Sequence, residues 1–368
     1  MIQETSANEK YLNASTRQLV WWRYKKHALA MFGLYLLAGL YLSSAFCEFV
    51  APYDKAERFD DAIYATPSKV RLFDDEGNIR RPFVKRVEMD FDLDTQQISY
   101  KEVPGSFHPI RLFVRGAPYE FWGLWAADFH LFGVDQPAKI FLFGTDRMGR
   151  DVFSRCLYGS RVSLSIGMVG VLLSLILGLV LGGISGYIGG WTDGIIQRVI
   201  EIIRCFPAIP LWMGLSAAMP PHWPALKVYF TITIILSLVG WTDLGRVVRG
   251  KLMALREEEF VLAARFAGAG HARIIFRHLL PSFTSHIIVS VTLSIPHMVL
   301  AETALSFLGI GLRPPITSLG ALLKEGQNIS TIALYPWLLI PVAFVIATVL
   351  AFNFVGDGLR DAVDPYSR

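Results

Sequence analysis

Residues 245–251 have the spacing of a phosphate-binding loop, G-x-x-x-x-G-K, in which backbone N–H groups and a lysine hold phosphate oxygens. That loop requires Ser or Thr next, but the chain has Leu252. The segment also ends an apolar stretch, whereas a phosphate loop follows a β-strand. We therefore reject nucleotide binding here, and no other stretch of the sequence has this pattern.

Three aspartates at alternate positions, Asp90, Asp92 and Asp94, suggest a calcium loop. Such a loop needs Gly next and Glu at its twelfth position, where this chain has Thr95 and Lys101. The aspartates alternate with apolar residues, a pattern typical of a half-buried strand. The sequence thus favours a strand over a metal site.

Histidines and cysteines do not supply a site either. His108 and His130 have no Cys or Glu grouped near them, and Cys47, Cys156 and Cys205 have neither metal-ligand spacing nor a disulfide pattern. We predict no catalytic residue, no metal and no cofactor bound by this chain.

Composition indicates a membrane protein. Of 368 residues, 53% are hydrophobic and 18% are charged, and the mean hydropathy is +0.41. A soluble domain of this length carries more charge. The net charge of +4 is too small to indicate nucleic acid as a partner.

The apolar stretches predict an all-α membrane protein with six transmembrane helices. The first occupies 28–50, and the others lie within 162–192, from 195, within 228–242, within 279–301, and from 335 onward. Pro207 and Pro210 should kink or divide the third span, and Gly178, Gly182 and Gly186 should allow another helix to approach closely.

Charge predicts the orientation. Segment 1–27 is rich in Lys and Arg, which favours a cytoplasmic N-terminus. Six spans then place both termini in the cytoplasm. Residues 51–155 are polar and rich in proline, and they predict a small β-rich extracytoplasmic domain between the first two helices. Within it, 74–78 should form a hairpin turn.

The stretch 257–281 is charged although apolar spans flank it, and its pattern predicts two short amphipathic helices. Gly268 and Gly270 should break them at backbone angles that a Cβ disfavours. Ala263 and Ala264 should keep the first helix thin, and Pro281 should begin the next span.

These residues resemble the cytoplasmic coupling loop of ABC-transporter permeases. The pattern of that loop is E-A-A, then three residues, G, nine residues, and I-x-L-P. Ala263-Ala264, Gly268 and Leu280-Pro281 match at the correct spacing, whereas Leu262 replaces the family's Glu and His278 its Ile. His-Leu-Leu-Pro is typical of the peptide-type branch, whose G-T-D-x-x-G-R-D-V-x-S-R motif is matched at 144–155.

The resemblance implies a permease subunit of a bacterial importer of oligopeptides or dipeptides in the cytoplasmic (inner) membrane. Residues 156–368 would form a five-helix core with a coupling loop at 249–281. The implied partners are a second permease, two ATPases that bind ATP and Mg²⁺, an extracytoplasmic substrate-binding protein, and membrane lipid.

The resemblance also implies which residues couple to the ATPases: Glu258, Glu259, Ala263, Ala264, Gly268, Gly270, His271, Arg273 and Pro281. Glu258 or Glu259 would replace the carboxylate absent at Leu262. Candidate pathway or gate residues are Glu302, Glu201 and Arg204. We prefer a helix-end carboxylate role for Glu302, and we expect Glu201 to pair with Arg198 or Arg204.

Other functions stay open at this point. The same architecture would also suit import of oligosaccharides, opines or nickel. A secondary transporter is disfavoured because the chain lacks a repeat with paired broken helices, and a membrane-bound enzyme because 51–155 has no grouped catalytic residues.

Overall fold

The computed structural model describes residues 14–92, 97–220 and 222–364. It is mostly helical. The α-helices are α1 (Thr16–Lys26), α2 (Ala28–Ala45), α3 (Cys47–Val50), α4 (Val152–Ile188), α5 (Gly190–Cys205), α6 (Ala208–Ala217), α7 (Ala225–Leu255), α8 (Glu259–Phe266), α9 (His271–Arg273), α10 (Leu280–Ser282), α11 (Thr284–Phe307), α12 (Leu319–Leu323), α13 (Ile329–Leu334) and α14 (Ile340–Val363). A π-helix (Ile274–Leu279) precedes α10, and two 3₁₀ turns (Lys324–Gln327 and Pro336–Leu339) flank α13.

Five helical segments in the described chain are long and apolar enough to cross a membrane: Ala28–Ala45, Val152–Ile188, Ala225–Leu255, Thr284–Phe307 and Pro336–Val363. The multi-pass prediction is therefore confirmed. The first helix ends at Ala45 rather than at residue 50, and the span predicted from residue 279 begins at Thr284.

The helix break predicted at Pro207 is found. Helices α5 and α6 meet at an angle of 87°, so together they form one broken span or a re-entrant loop. Pro207 lies at the break with an extended backbone (φ −59°, ψ 132°). Proline lacks the N–H that would continue α5, so the chain must restart its helix at Ala208.

Between α3 and α4, the described residues form seven strands in three small antiparallel sheets. They are β1 (Arg71–Phe73), β2 (Ile79–Val84), β3 (Val87–Asp92), β4 (Gln97–Glu102), β5 (His108–Pro109), β6 (Arg111–Phe121) and β7 (Trp125–Gly133). The sheets have the orders β1-β2-β5, β3-β4 and β6-β7. Among the described residues, no three His, Cys, Asp or Glu side chains group as a metal site.

The predicted turn and strand are both found here. Asp74 accepts the backbone N–H groups of Glu76 (3.0 Å) and Asn78 (2.8 Å), which closes the β1–β2 turn. The N–H of Asn78 holds the pKa of Asp74 below its usual value. The strand predicted from Val87 is β3, whereas positions 93 and 94 lie outside the described residues.

The chain divides into two compact units, one made of 1–38, 166–302 and 347–368, the other of 39–165 and 303–346. In the first unit, the predicted glycine face of α4 packs closely against α7. A Cβ at Gly182 would lie 2.9 Å from the Cα of Gly245, and one at Gly186 would lie 2.6 Å from the carbonyl oxygen of Arg249. Residues 245–251 lie within α7, so they are helical and form no phosphate loop.

Candidate functional site

The inner face of the 257–281 element packs on the first unit. Val261, Ile274 and Leu279 are fully buried in one apolar cluster with Leu252 of α7 and Tyr187 at the end of α4. Each buried aliphatic side chain contributes about 1.5–3 kcal/mol of transfer free energy. The element is therefore a fixed part of this unit rather than a loose loop.

The turn between α8 and α9 is a helix C-cap centred on Gly268. The N–H of Gly268 donates to the carbonyl of Arg265 (2.9 Å), and the N–H of Ala269 donates to that of Ala264 (3.0 Å). This pair of hydrogen bonds is the Schellman motif, which needs a residue in the left-handed conformation directly after the C-cap. Gly268 has φ +77°, as predicted.

The prediction for Gly270 is wrong. Its φ is −69° and its ψ is 159°, an extended backbone that any residue adopts. Gly270 is the N-cap of α9, a position that favours an extended conformation. Only Gly268 supplies left-handed freedom in this turn.

Tyr187 connects the two helices, and our sequence analysis missed it. The guanidinium of Arg265 in α8 lies 5.3 Å from the centre of its ring. The Nδ1 atom of His271 in α9 lies 3.2 Å from its hydroxyl oxygen. A tyrosine in a glycine-rich turn gives no sequence signal for this role, because its partners lie about 80 residues away (|i−j| = 84 for His271).

A π-helical turn leads to Pro281. The N–H of Leu280 donates to the carbonyl oxygen of Ile275, five residues earlier, whereas in an α-helix it would donate to the carbonyl four residues earlier. Proline lacks an N–H, and in an α-helix its ring collides with the carbonyl four residues back. The wider turn accommodates Pro281, which lies in the three-residue helix α10, whereas the span that it was predicted to begin starts at Thr284.

The outer face of the element carries unpartnered apolar side chains. Phe266 is 91% exposed and Phe276 is 67% exposed, and Phe260 and Leu262 are also exposed. Large exposed apolar side chains are typical of interaction surfaces when they form a patch. We call this surface, made of Phe260, Leu262, Phe266 and Phe276, the outer apolar face.

Most of the proposed coupling residues lie on the exposed side. Glu258, Glu259, Ala263, Gly268, Gly270, His271, Arg273 and Pro281 are all exposed. Ala264 is different: it is partly buried and packs on the apolar cluster with Ala269. Of the two alanines predicted to take part in coupling, Ala263 is therefore exposed and Ala264 faces the apolar cluster.

The three pathway candidates have different surroundings. Glu201 pairs with Arg198 at 2.7 Å, as predicted, on an exposed surface. Arg204 pairs with Asp243 instead. Glu302 is fully buried near the end of α11.

The 144–155 motif forms a buried ionic group in the second unit. Asp146, which is fully buried, accepts from the Nε of Arg150 (2.7 Å) and also pairs with Arg155. Glu325 contacts the same two arginines at 3.1 and 3.0 Å. These ion pairs therefore hold the start of α4 and the segment before it to Glu325.

The membrane-length helices, the bent α5–α6 pair and the helix–turn–helix with exposed apolar side chains are the features of a multi-pass membrane protein. The comparisons give the family. A family model described as "Binding-protein-dependent transport system inner membrane component" matches residues 178–368, and one for the "N-terminal TM domain of oligopeptide transport permease C" matches 15–67. The chain belongs to this family of inner membrane components.

Similar proteins carry consistent names. The chain is 38% identical over 241 residues to the oligopeptide transport system permease protein OppC of Bacillus subtilis, covering 65% of this chain and 76% of that protein. It is 41% identical to OppC of Salmonella typhimurium (61% and 72% covered) and 39% identical to the dipeptide permease DppC of Bacillus subtilis (63% and 71% covered).

Proposed function

We propose that this chain is a transmembrane permease subunit of an ATP-driven importer that takes up oligopeptides or dipeptides delivered by an extracytoplasmic binding protein. The observation that carries the proposal is the family match over 178–368 together with the OppC N-terminal match over 15–67. The names of the relatives support peptides over oligosaccharides, opines or nickel.

The direct test is uptake of a labelled peptide into vesicles. The complete complex, with binding protein outside and ATP inside, should accumulate peptide, and vesicles lacking only this chain should not. Uptake that is equal without this chain would refute the proposal. Accumulation of a sugar or nickel instead of peptide would keep the subunit role and change the substrate.

ATP and Mg²⁺ would bind to partner ATPases and not to this chain, since the lone phosphate-loop-like segment, 245–251, is part of α7. The outer apolar face is where an ATPase would dock. Its phenylalanines would fill a groove, while the exposed Glu258, Glu259 and Arg273 form a charged rim.

For the topology, we propose six spans with both termini in the cytoplasm and 51–155 outside. The basic residues before α2 and in 249–277 support this arrangement. Cysteine at the exposed Glu76 should react with an impermeant thiol reagent in intact spheroplasts, and cysteine at Ala272 only after permeabilisation. Both belong in a Cys205→Ser background, because Cys205 is exposed. The reverse labelling would contradict the model.

A basic cavity supports a docking role for the outer domain. Its volume is about 650 Å³, and its lining includes Lys55, Arg58, Arg147, Arg150, Arg155, Arg313 and Lys324. Among the described residues that line it, Glu325 is the sole carboxylate, and it is already paired with two arginines. An acidic surface of the binding protein would complement this excess of positive charge.

Charge reversal tests that role. The double variant Arg147→Glu, Arg313→Glu should need a higher concentration of binding protein to stimulate ATP turnover. High salt should likewise raise the concentration that the parent protein needs, because salt screens the charges. Arg81→Glu, an exposed arginine outside the cavity, is the matched control. Equal stimulation of all three proteins would exclude docking at this cavity.

A further inference from the structure

The tip of the β6–β7 hairpin exposes a concentrated set of apolar side chains. Residues 121–127, Phe-Trp-Gly-Leu-Trp-Ala-Ala, carry no charge. Leu124 is 71% exposed, Trp125 66% and Trp122 55%. Two tryptophans and a leucine in water at one loop tip are unfavourable unless another phase or surface covers them.

The hairpin lies alongside the chain that leaves the first span, with its base farthest from the end of α2. At the base, the Nδ1 of His130 lies 2.6 Å from the carbonyl oxygen of Ala51. In the same lower part of the hairpin, the ring of Phe113 lies 6.2 Å from the ring of Phe49.

The tip reaches the last residue of α2. The ring of Phe121 stacks on that of Phe46 at 5.7 Å. The indole Nε1 of Trp122 donates to the carbonyl oxygen of Ala45 at 3.1 Å. The guanidinium of Arg161 lies 4.5 Å from the Trp122 ring and also donates to Ala45 (2.9 Å). Residues 49–51 therefore contact the lower part of the hairpin, and residues 45–46 contact its tip.

The length of α2 fixes the depth of that contact in the membrane. The helix has 18 residues. At about 1.5 Å per residue it spans about 27 Å, close to the roughly 30 Å hydrocarbon thickness of a bilayer. All of α2 is needed to cross, so Ala45 must lie at the boundary of the hydrocarbon. The tip, bonded to Ala45, lies at the same level.

The backbone supports a specific role for the two aromatic contacts. Trp122 and Phe113 have φ of +54° and +56°, in the left-handed region that residues with a Cβ rarely adopt. Strain of this kind persists only where surrounding contacts hold it. Here the left-handed backbone directs the rings of Trp122 and Phe113 toward the segment that follows α2.

We propose that the hairpin tip is a membrane anchor, in which Trp122, Leu124 and Trp125 insert into the interface of the lipid leaflet where α2 ends. Indole rings favour that interface, because an apolar ring and an N–H donor both find suitable surroundings there. The anchor would hold the β-rich domain against the membrane at the end of the first span. This inference does not depend on the transported substrate or on the ATPase partners.

A nitroxide spin label measures the depth. Leu124→Cys is labelled in the Cys205→Ser full-length protein, purified with its accompanying subunits and placed in phosphatidylethanolamine–phosphatidylglycerol nanodiscs. Collisions with oxygen report lipid, and collisions with a neutral nickel chelate report water. Tyr35→Cys, at a 68% exposed position in the middle of α2, is the lipid reference, and Ser99→Cys, exposed on β4, is the water reference.

The proposal predicts an oxygen-to-nickel accessibility ratio at position 124 several-fold above that at 99 and approaching that at 35. A ratio equal to that at 99 would overturn it, because the tip would then lie in water. Low collision with both reagents would also overturn it, since a protein surface and not lipid would then cover the tip.

Discussion

The turn at Gly268 offers a sharp test, because its neighbour Gly270 is a matched control. Both glycines have no atom within 4 Å of the place where a Cβ would be. They differ in backbone conformation: φ is +77° at Gly268 and −69° at Gly270. Valine at either site adds the same bulk, but only Gly268→Val adds left-handed strain.

The magnitude follows from that difference. A residue with a Cβ in the left-handed region costs about 1–2 kcal/mol. Any gain from a less flexible unfolded chain is common to both variants and cancels. At 1.4 kcal/mol per factor of ten, Gly268→Val should lower the equilibrium constant for forming the native turn about 5- to 30-fold relative to Gly270→Val. The apparent affinity for the ATPases falls with the fraction of protein that keeps the native turn, so this factor is the upper limit of the loss.

The assay is the amount of ATPase that co-purifies with each variant at subsaturating ATPase, with substrate-stimulated ATP turnover in reconstituted vesicles as the second readout. Gly268→Asn should recover most of the loss, because asparagine tolerates the left-handed region. If both valine variants lose the ATPase equally, bulk and not backbone strain governs docking. If Gly268→Val behaves like the parent, the turn does not couple to an ATPase.

Two further predictions concern stability. Asp146→Ala leaves Arg155 buried without its nearest carboxylate, so it should lower the free energy of unfolding by about 3–5 kcal/mol. Asp61→Ala breaks an exposed pair with Lys139 and should lower it by less than about 1 kcal/mol. Denaturation in detergent distinguishes the two variants, and equal losses would contradict the buried network. Gly182→Ala should push α4 away from α7 and lower the free energy of unfolding by about 1–3 kcal/mol through overpacking. Gly183→Ala is the control: its Cβ would meet its nearest atom at 3.8 Å, so the same measurement should show no loss of stability.

Features that depend on local chemistry could be predicted from the sequence. The apolar stretches gave the membrane helices because a span needs about 20 apolar residues. Pro207 predicted the break between α5 and α6 because it lacks a backbone donor, and Gly268 predicted the turn because a helix end uses a left-handed residue. In each case the residue acts mainly on its own backbone.

Features that depend on packing could not be predicted. Nothing local distinguishes Ala263 from Ala264, and only the buried cluster shows that the second faces inward. Gly270 has the same side chain as Gly268, yet its extended backbone follows from its place at the N-cap of α9. Tyr187 joins α8 and α9 from a distant part of the sequence. The contact of Trp122 with Ala45 is similarly long-range.

The measurement that tests the central claim most directly is photo-crosslinking from the outer face of α8 in native membranes. Benzophenone attached to cysteine at Ala263 or Phe266, both exposed, should cross-link to an ATPase subunit. Cysteine at the partly buried Ala264 should cross-link to it much less. A strong ATPase adduct at 263 and 266 with little at 264 is the predicted result. Absence of any ATPase adduct from 263 and 266, in membranes where the complex is assembled, would contradict the claim that 257–281 couples this permease to ATP hydrolysis.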